Sequence, residues 1–331
     1  MEIGPLAIAL GDPAGIGPEI VAKAWAVRER HGLAPFFAVG DRRSIEAVWS
    51  GPIRPISSPD EAIACFHDAL PLIQIEDTGP IVPGQPDLAG ARCALDSLEM
   101  AAGLARSSMV GGLVTAPVAK AQLYAIGFTH PGQTEFVAER CGVASTNTVM
   151  LLAGPTLRAV PITTHVPLRE VADLLTVDLI VAKARATDRG LSRNFGIERP
   201  RLAIAGFNPH AGEQGKIGHE EIDLIIPAVE ILLAEGIDIV GPLAADTMFH
   251  PRARALYDCA LCLYHDQALI PLKTLHFDEG VNMTLGLPIV RTAPDHGTAF
   301  GIAGQDKAHP GAMIAAIALA ADAARNRLVH A

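Results

Sequence analysis

The chain has 331 residues, half of them hydrophobic and 19% charged, enough for two domains with a core in each. Its formal net charge of −10 argues against nucleic acid or an anionic membrane as the main partner. Five scattered cysteines, an odd number, and an N-terminus without a basic signal region point to a reducing cytoplasm. The longest apolar helix candidate, residues 312–324, is too short to span a bilayer and contains Asp322.

In chain order, residues 6–10 read as a strand, and Gly11-Asp-Pro-Ala-Gly-Ile-Gly17 as a loop opening a helix at Pro18. Only Gly15 and Gly17 fit the dinucleotide fingerprint, because Ile20 stands at its third glycine; Asp41, after a strand at 36–39, would be the ribose acid. Residues 52–59 read as a Pro/Ser connection, 60–68 as a helix, 80–86 as a Pro/Gly loop and 88–106 as a longer helix. A strand at 112–115 leads to Lys120. His130-Pro-Gly-Gln-Thr-Glu135 opens a helix at 136–140, where Gln133 and Thr134 can bond an anion. Residues 150–152 and 157–162 form a hairpin turning at Gly154-Pro155; helices follow at 168–174 and 177–189. A strand at 201–207, a glycine-rich loop, a helix at 220–235 and a strand at 237–240 come next.

Three apolar runs each end in a histidine: His165, His210 and His265. Three imidazoles with an open position suit catalytic zinc or a related divalent ion, and Asp246 and Asp266 can orient them. After the apolar run 260–264, Lys273, Asn282 and Arg291 add a cation, an amide and a bidentate guanidinium, a set for an anionic substrate. Cys259-Ala-Leu-Cys262 has no second pair to complete a zinc site.

Gly11-Asp-Pro-Ala-Gly-Ile-Gly-Pro-Glu19, Asn208-Pro-His-Ala-Gly-Glu213, Tyr264-His-Asp-Gln267, Gly280-Val-Asn-Met-Thr284 and Asp295-His-Gly-Thr-Ala299, in that order, resemble the 4-hydroxythreonine-4-phosphate dehydrogenase family over almost the whole chain. The resemblance implies NAD- or NADP-dependent oxidation of a small phosphorylated hydroxyamino acid, 4-phosphohydroxy-L-threonine. Decarboxylation then gives 3-amino-2-oxopropyl phosphate, in pyridoxal phosphate biosynthesis. It also implies a cytoplasmic homodimer with a divalent metal (zinc, magnesium or cobalt) bound by His165, His210 and His265. The substrate contacts it implies are Gln133, Thr134, Lys273, Asn282 and Arg291, with Asp246, Asp266 and Lys273 as candidates for the base.

The closing stretch is similar to the adenosine-binding loop of isocitrate and isopropylmalate dehydrogenases, which implies cofactor contacts at His296, Gly297, Thr298, Ala299 and Gly304. The expected fold is therefore α/β, with two α/β domains of that kind and the active site in the cleft between them, in place of a Rossmann domain. Residues 1–130 with 295–331 would form the first domain; 131–294 would form the second, with the metal site and the dimer contact. Two positions depart from the family's usual pattern: Gln133, where His is common, and Ala119, where a bulkier residue is common. They leave open a dehydrogenase of phosphothreonate or of a cis-dihydrodiol carboxylate. Readings of another class are a three-histidine metallohydrolase and a non-catalytic metal- and phosphate-binding protein.

Overall fold

A computed structural model describes residues 3–75 and 79–329. Its strands are β1 (Leu6–Ala9), β2 (Phe36–Gly40), β3 (Ile53–Pro55), β4 (Leu70–Gln74), β5 (Gly112–Thr115), β6 (Val149–Gly154), β7 (Leu157–Pro161), β8 (Arg201–Ala205), β9 (Asp238–Leu243), β10 (Cys259–Cys262), β11 (Val281–Leu285) and β12 (Arg291–Pro294). The chain divides into two compact units, one of residues up to 145 with 287–329, the other of 146–286. The expectation placed the junctions at 130/131 and 294/295. They fall elsewhere because the helix Gln133–Arg140 packs on the helix Leu88–Arg106, and β12 pairs with β5. The outermost residues of the expected first domain, 1–2 and 330–331, lie outside the described residues.

In the first unit the strands run in the order β3-β4-β2-β1-β5-β12, and the pairs β1–β2, β1–β5, β2–β4, β3–β4 and β5–β12 are parallel. All four residues of β1 are buried, as a parallel strand covered on both faces requires. Ala7, Ala9, Phe37, Val39 and Leu113 join one apolar cluster with Leu98, Ala101 and Ala102 of the helix Leu88–Arg106. Asp87 caps that helix by accepting from the Gly90 N–H at 2.7 Å. The helix Gly311–Val329 packs on β12 and β5 through alanines, which allow close approach; Thr292 Oγ1 donates to the Ala316 carbonyl at 2.8 Å.

In the second unit the order is β11-β6-β7-β10-β8-β9. β6 and β7 form the expected antiparallel hairpin, with Gly154 opposite Leu157. β7, β10 and β8 then lie side by side and parallel, with Ala260 opposite both Ala159 and Ala203. Their carboxyl ends therefore emerge together, and each leads to one of the three histidines. The helix Val177–Phe195 begins at Thr176, whose side chain caps Leu179 N–H, and stops at Gly196 in the left-handed region.

Several local features differ from the sequence expectation, among them the following. Residues 53–55, within the Pro/Ser stretch, are an edge strand paired only with β4, and edges tolerate proline. The helix expected over 220–235 opens with a wider π turn at Glu221–Ile225 before the α-helix Ile226–Ala234. Asp41 caps a short helix and pairs with Arg43 at 2.7 Å, a structural role. No helix among the described residues is long and apolar enough to cross a membrane.

Candidate active site

The histidine region of the second unit is built on those three parallel strand ends. β7 and β10 stay joined past their last paired residues: Ile162 N–H donates to Cys262 O at 2.7 Å, and Thr163 Oγ1 to Leu263 O at 2.9 Å. This holds the following residues side by side, and the rings of His165 and His265 lie 5.5 Å apart, centroid to centroid. Two imidazoles on one tetrahedral zinc, each Zn–N bond about 2 Å, put their centroids roughly 5 Å apart, so the pair fits two ligands of one ion. Asp266 Oδ1 lies 2.7 Å from His265 Nδ1, which fixes the ring and leaves Nε2 as the nitrogen suited to a metal. The two histidines, Asp266, Thr163 and Tyr264 line a cavity of about 270 Å³.

His210 stands on different backbone. From His210 to Gly215 six consecutive residues have positive φ, four of them not glycine. Such a run costs about 1–2 kcal/mol per non-glycine residue and persists only where the surroundings impose it. The buried Glu221 carboxylate accepts from Asn208 N–H at 2.7 Å and from Asn208 Nδ2 at 2.9 Å, and Glu220 takes a further bond from Asn208 Nδ2. That Asn208 contact holds the Glu220 carboxyl below its usual range. Asp246, exposed, sits in the turn Ala245–Thr247 that packs against this loop. Among the described residues no three His, Cys, Asp or Glu side chains are gathered closely enough to hold a metal ion. The triad expected from the sequence is therefore not assembled as one group within the chain.

The anion-binding candidates divide between the units. Lys273, half-buried on the helix His265–His276, and Asn282 on β11 belong to the second; Asn282 Oδ1 is buried without a hydrogen-bond partner. Arg291, Thr134 and Gln133 belong to the first. Arg291 is only 3% exposed, and its guanidinium donates to Thr134 Oγ1 at 3.0 Å and to Thr115 Oγ1 at 2.8 Å. Burial pushes its pKa down to about 10, so it is still a cation at neutral pH. Each threonine accepts from the arginine and keeps its own O–H to donate. Lys120 lies beside Gly132, at the start of the helix that carries Gln133 and Thr134. Gln133 Nε2 donates to Ala116 O at 3.2 Å, while its Oε1 is buried without a hydrogen-bond partner.

The closing loop, 295–310, is pinned to the N-terminal glycine loop. Ile16 N–H donates to Thr298 O at 3.0 Å, and a Cβ on Gly15 would stand 3.2 Å from Thr298. A Cβ on Gly17 would stand 2.2 Å from the Leu10 carbonyl. These glycines thus serve close packing of the protein on itself, not a phosphate cradle. Ala299 is left-handed (φ 44°), and His296 Nε2 is buried without a partner.

A family model described as pyridoxal phosphate biosynthetic protein PdxA matches residues 33–320. The chain belongs to that family. It is 58% identical to the 4-hydroxythreonine-4-phosphate dehydrogenase of Zymomonas mobilis subsp. mobilis over 327 residues, 99% of this chain and 98% of that one. A crystal structure of the enzyme of that name from Klebsiella pneumoniae superposes with a TM-score of 0.86 at 36% identity, covering 97% of this chain and 98% of that one. A terephthalate 1,2-cis-dihydrodiol dehydrogenase from Burkholderia xenovorans is similar at 28% identity and a TM-score of 0.65, over 96% and 98%.

Two long-range contacts in this PdxA-family chain carry little signal in the sequence. Thr115 braces Arg291 from 176 positions away. Gln267 spans two strand ends, accepting from Leu263 N–H at 2.6 Å and donating to Gly206 O at 2.9 Å, and so ties the exit of β10 to that of β8. The Tyr-His-Asp-Gln motif pointed to this position; its partner on β8 is set by the fold.

Proposed function

We propose that this chain oxidises the 3-hydroxyl of 4-phosphohydroxy-L-threonine, with decarboxylation to 3-amino-2-oxopropyl phosphate, in pyridoxal phosphate biosynthesis. The observation that carries the reading is the buried Arg291, a cation built into the interior and braced by Thr115 and Thr134. An acidic protein that fixes a guanidinium this way is prepared for an anionic group, here the phosphate or the carboxylate. Family membership narrows the choice to the phosphorylated hydroxyamino acid.

The roles follow from the donors and acceptors. Arg291, Thr134 and Lys120 take the anionic end, and Gln133, whose Nε2 also bonds Ala116 O, contacts the substrate beside Thr134. The buried Asn282 Oδ1 is an acceptor and suits the ammonium or hydroxyl of the substrate. Asp266 is committed to His265, which leaves Asp246 and Lys273 as candidates to take the hydroxyl proton. His296, Gly297, Thr298, Ala299 and Gly304 form the loop assigned to NAD or NADP, which accepts the hydride. The new ketone stands β to the carboxylate, so loss of CO2 follows. His165 and His265 would hold a divalent ion, which would supply a lowered hydroxyl pKa and stabilisation of the negative charge left by decarboxylation. Imidazoles suit zinc or cobalt better than magnesium. His210 completes the ligand set from a second copy of the chain, which makes the active unit a homodimer.

The test is reduced-nicotinamide absorbance with NAD and with NADP, on 4-phosphohydroxy-L-threonine, its unphosphorylated analogue and a cis-dihydrodiol carboxylate. Turnover of the phosphorylated substrate is expected, dependent on a divalent metal. Preference for the dihydrodiol, which the Burkholderia relative's name brings into view, would replace the substrate. Hydrolysis without a nicotinamide would replace the reaction.

A further inference from the structure

The first helix, Gly17–Ala26, carries a buried carboxylate that the chemistry above does not use. Glu19 is 1% exposed; its Oε1 accepts from Lys23 Nζ at 2.8 Å and from the Ala308 N–H at 2.9 Å. Lys23 Nζ in turn donates to the carbonyls of Asp306 (3.1 Å) and Ala308 (3.0 Å) and pairs with Asp306 Oδ1 at 2.8 Å. A helix gains little from a Glu–Lys pair four residues apart, and water serves such a pair well at the surface. Burying the carboxylate is costly unless its bonds are needed where they are. Here one of its two bonds goes directly to Ala308 and the other to Lys23, whose remaining bonds go to Asp306 and Ala308.

Those residues end the loop assigned to the dinucleotide, and this inference rests on that assignment. The loop holds two non-glycine residues in the left-handed region, Ala299 (φ 44°) and Asp306 (φ 58°), conformations that need an outside constraint. One constraint is Ile16 N–H on Thr298 O, before the loop's short 3-10 turn, Phe300–Ile302. The other is the Glu19–Lys23 clamp after it. Both come from one element, the first helix with its cap residue Ile16, so that element sets the loop's shape between its two ends. We propose that Glu19 and Lys23 are positioning residues for the nicotinamide dinucleotide, acting through the loop 296–308 without touching the substrate or the metal. Loosening the clamp adds the cost of ordering the loop to dinucleotide binding and leaves the rest of the site alone.

The experiment compares the full-length protein with its Lys23→Met, Lys23→Arg and Asp306→Gly variants. Titration calorimetry with NAD, and with NADP in parallel, gives the dinucleotide Kd; hydrogen exchange gives the protection of residues 296–308. Lys23→Met should weaken dinucleotide binding on the order of tenfold and lower protection of the loop. Its kcat and KM for the phosphorylated substrate at saturating dinucleotide should be unchanged. Lys23→Arg should restore most of the affinity. Asp306→Gly removes only an exposed ion pair at a position glycine accepts, and should weaken binding about threefold, which keeps the test open should Lys23→Met fail to fold. If the wild type binds dinucleotide and both Lys23→Met and Asp306→Gly bind it equally well, the clamp is merely structural and the proposal fails. If kcat and the substrate KM move together with the dinucleotide Kd, the effect is general and the proposal also fails. A wild type that binds neither NAD nor NADP would instead overturn the loop's assignment, and the clamp's role with it.

Discussion

The arginine pocket of the first unit and the histidine region of the second are built on opposite principles. Arg291 is buried, its partners Thr115 and Thr134 come from the same unit, and its geometry is complete in a single chain. His165 and His210 are exposed, His265 is half-buried, and only two of the three rings lie side by side. A guanidinium stays charged through burial, so the fold can build its pocket in advance and reach about 10 without losing the cation. In the proposed metal role the histidines must stay accessible, and binding the ion does the final organising. On that reading one region is prepared by folding and the other by its ligand.

The largest effect that tests this contrast is loss of a ligand. His265→Ala should abolish stable metal binding and lower turnover by roughly a thousandfold or more, read by elemental analysis and kcat. Arg291→Ala should lower kcat/KM for the phosphorylated substrate by roughly thirtyfold or more while metal content stays at the wild-type level. Metal loss in Arg291→Ala would break the separation between the two regions. Full activity in Arg291→Ala would remove the arginine from the anion site and move non-phosphorylated substrates ahead. Thr115→Val deletes one brace and leaves the charge; a fall in kcat/KM of roughly tenfold is expected, carried mainly by KM. No change in KM would mean that Thr134 alone aims the guanidinium.

The same contrast governs how much was legible in the sequence. The helix Leu88–Arg106 and the strand β5 have the bounds their local patterns predict, because Asp87 caps the one and a short apolar run makes the other. The three strand-end histidines were visible as a recurrence, and parallel pairing of β7, β10 and β8 brings those strand ends out on one side of the sheet. What the pattern did not carry is long-range or strained. The brace from Thr115 and the tie from Gln267 to Gly206 each join residues far apart in the chain. The left-handed run from His210 is imposed from outside by Glu221 through Asn208, so no propensity of its own announces it. Gln133 reads as a donor to an anion, and the additional bond from its Nε2 to Ala116 O is set by the fold.

Preparing a region by burial also has a cost that titration can measure. Asp12, in the N-terminal glycine loop, is 1% exposed. Burial raises its carboxyl from 3.8 to about 6; the Ala14 N–H opposes the rise, and repulsion from Asp87 adds to it. Between pH 4 and 6 the folded chain thus holds a proton that the unfolded chain has released. Stability must fall as pH rises through that window and remain reduced above it. Asp12→Asn keeps an oxygen to accept from Ala14 and removes the charge. It should be more stable than wild type at pH 7 by about 2–3 kcal/mol, and the gain should shrink to nothing as pH falls toward 4. Denaturant midpoints across that range measure it. A variant less stable than wild type at neutral pH would mean that the ionised carboxylate is paired in the folded state; a gain independent of pH would mean that the change acts through packing. His165→Ala, made at an exposed side chain, should leave the metal-free protein's stability at pH 7 within about 0.5 kcal/mol, because little apolar surface is buried there.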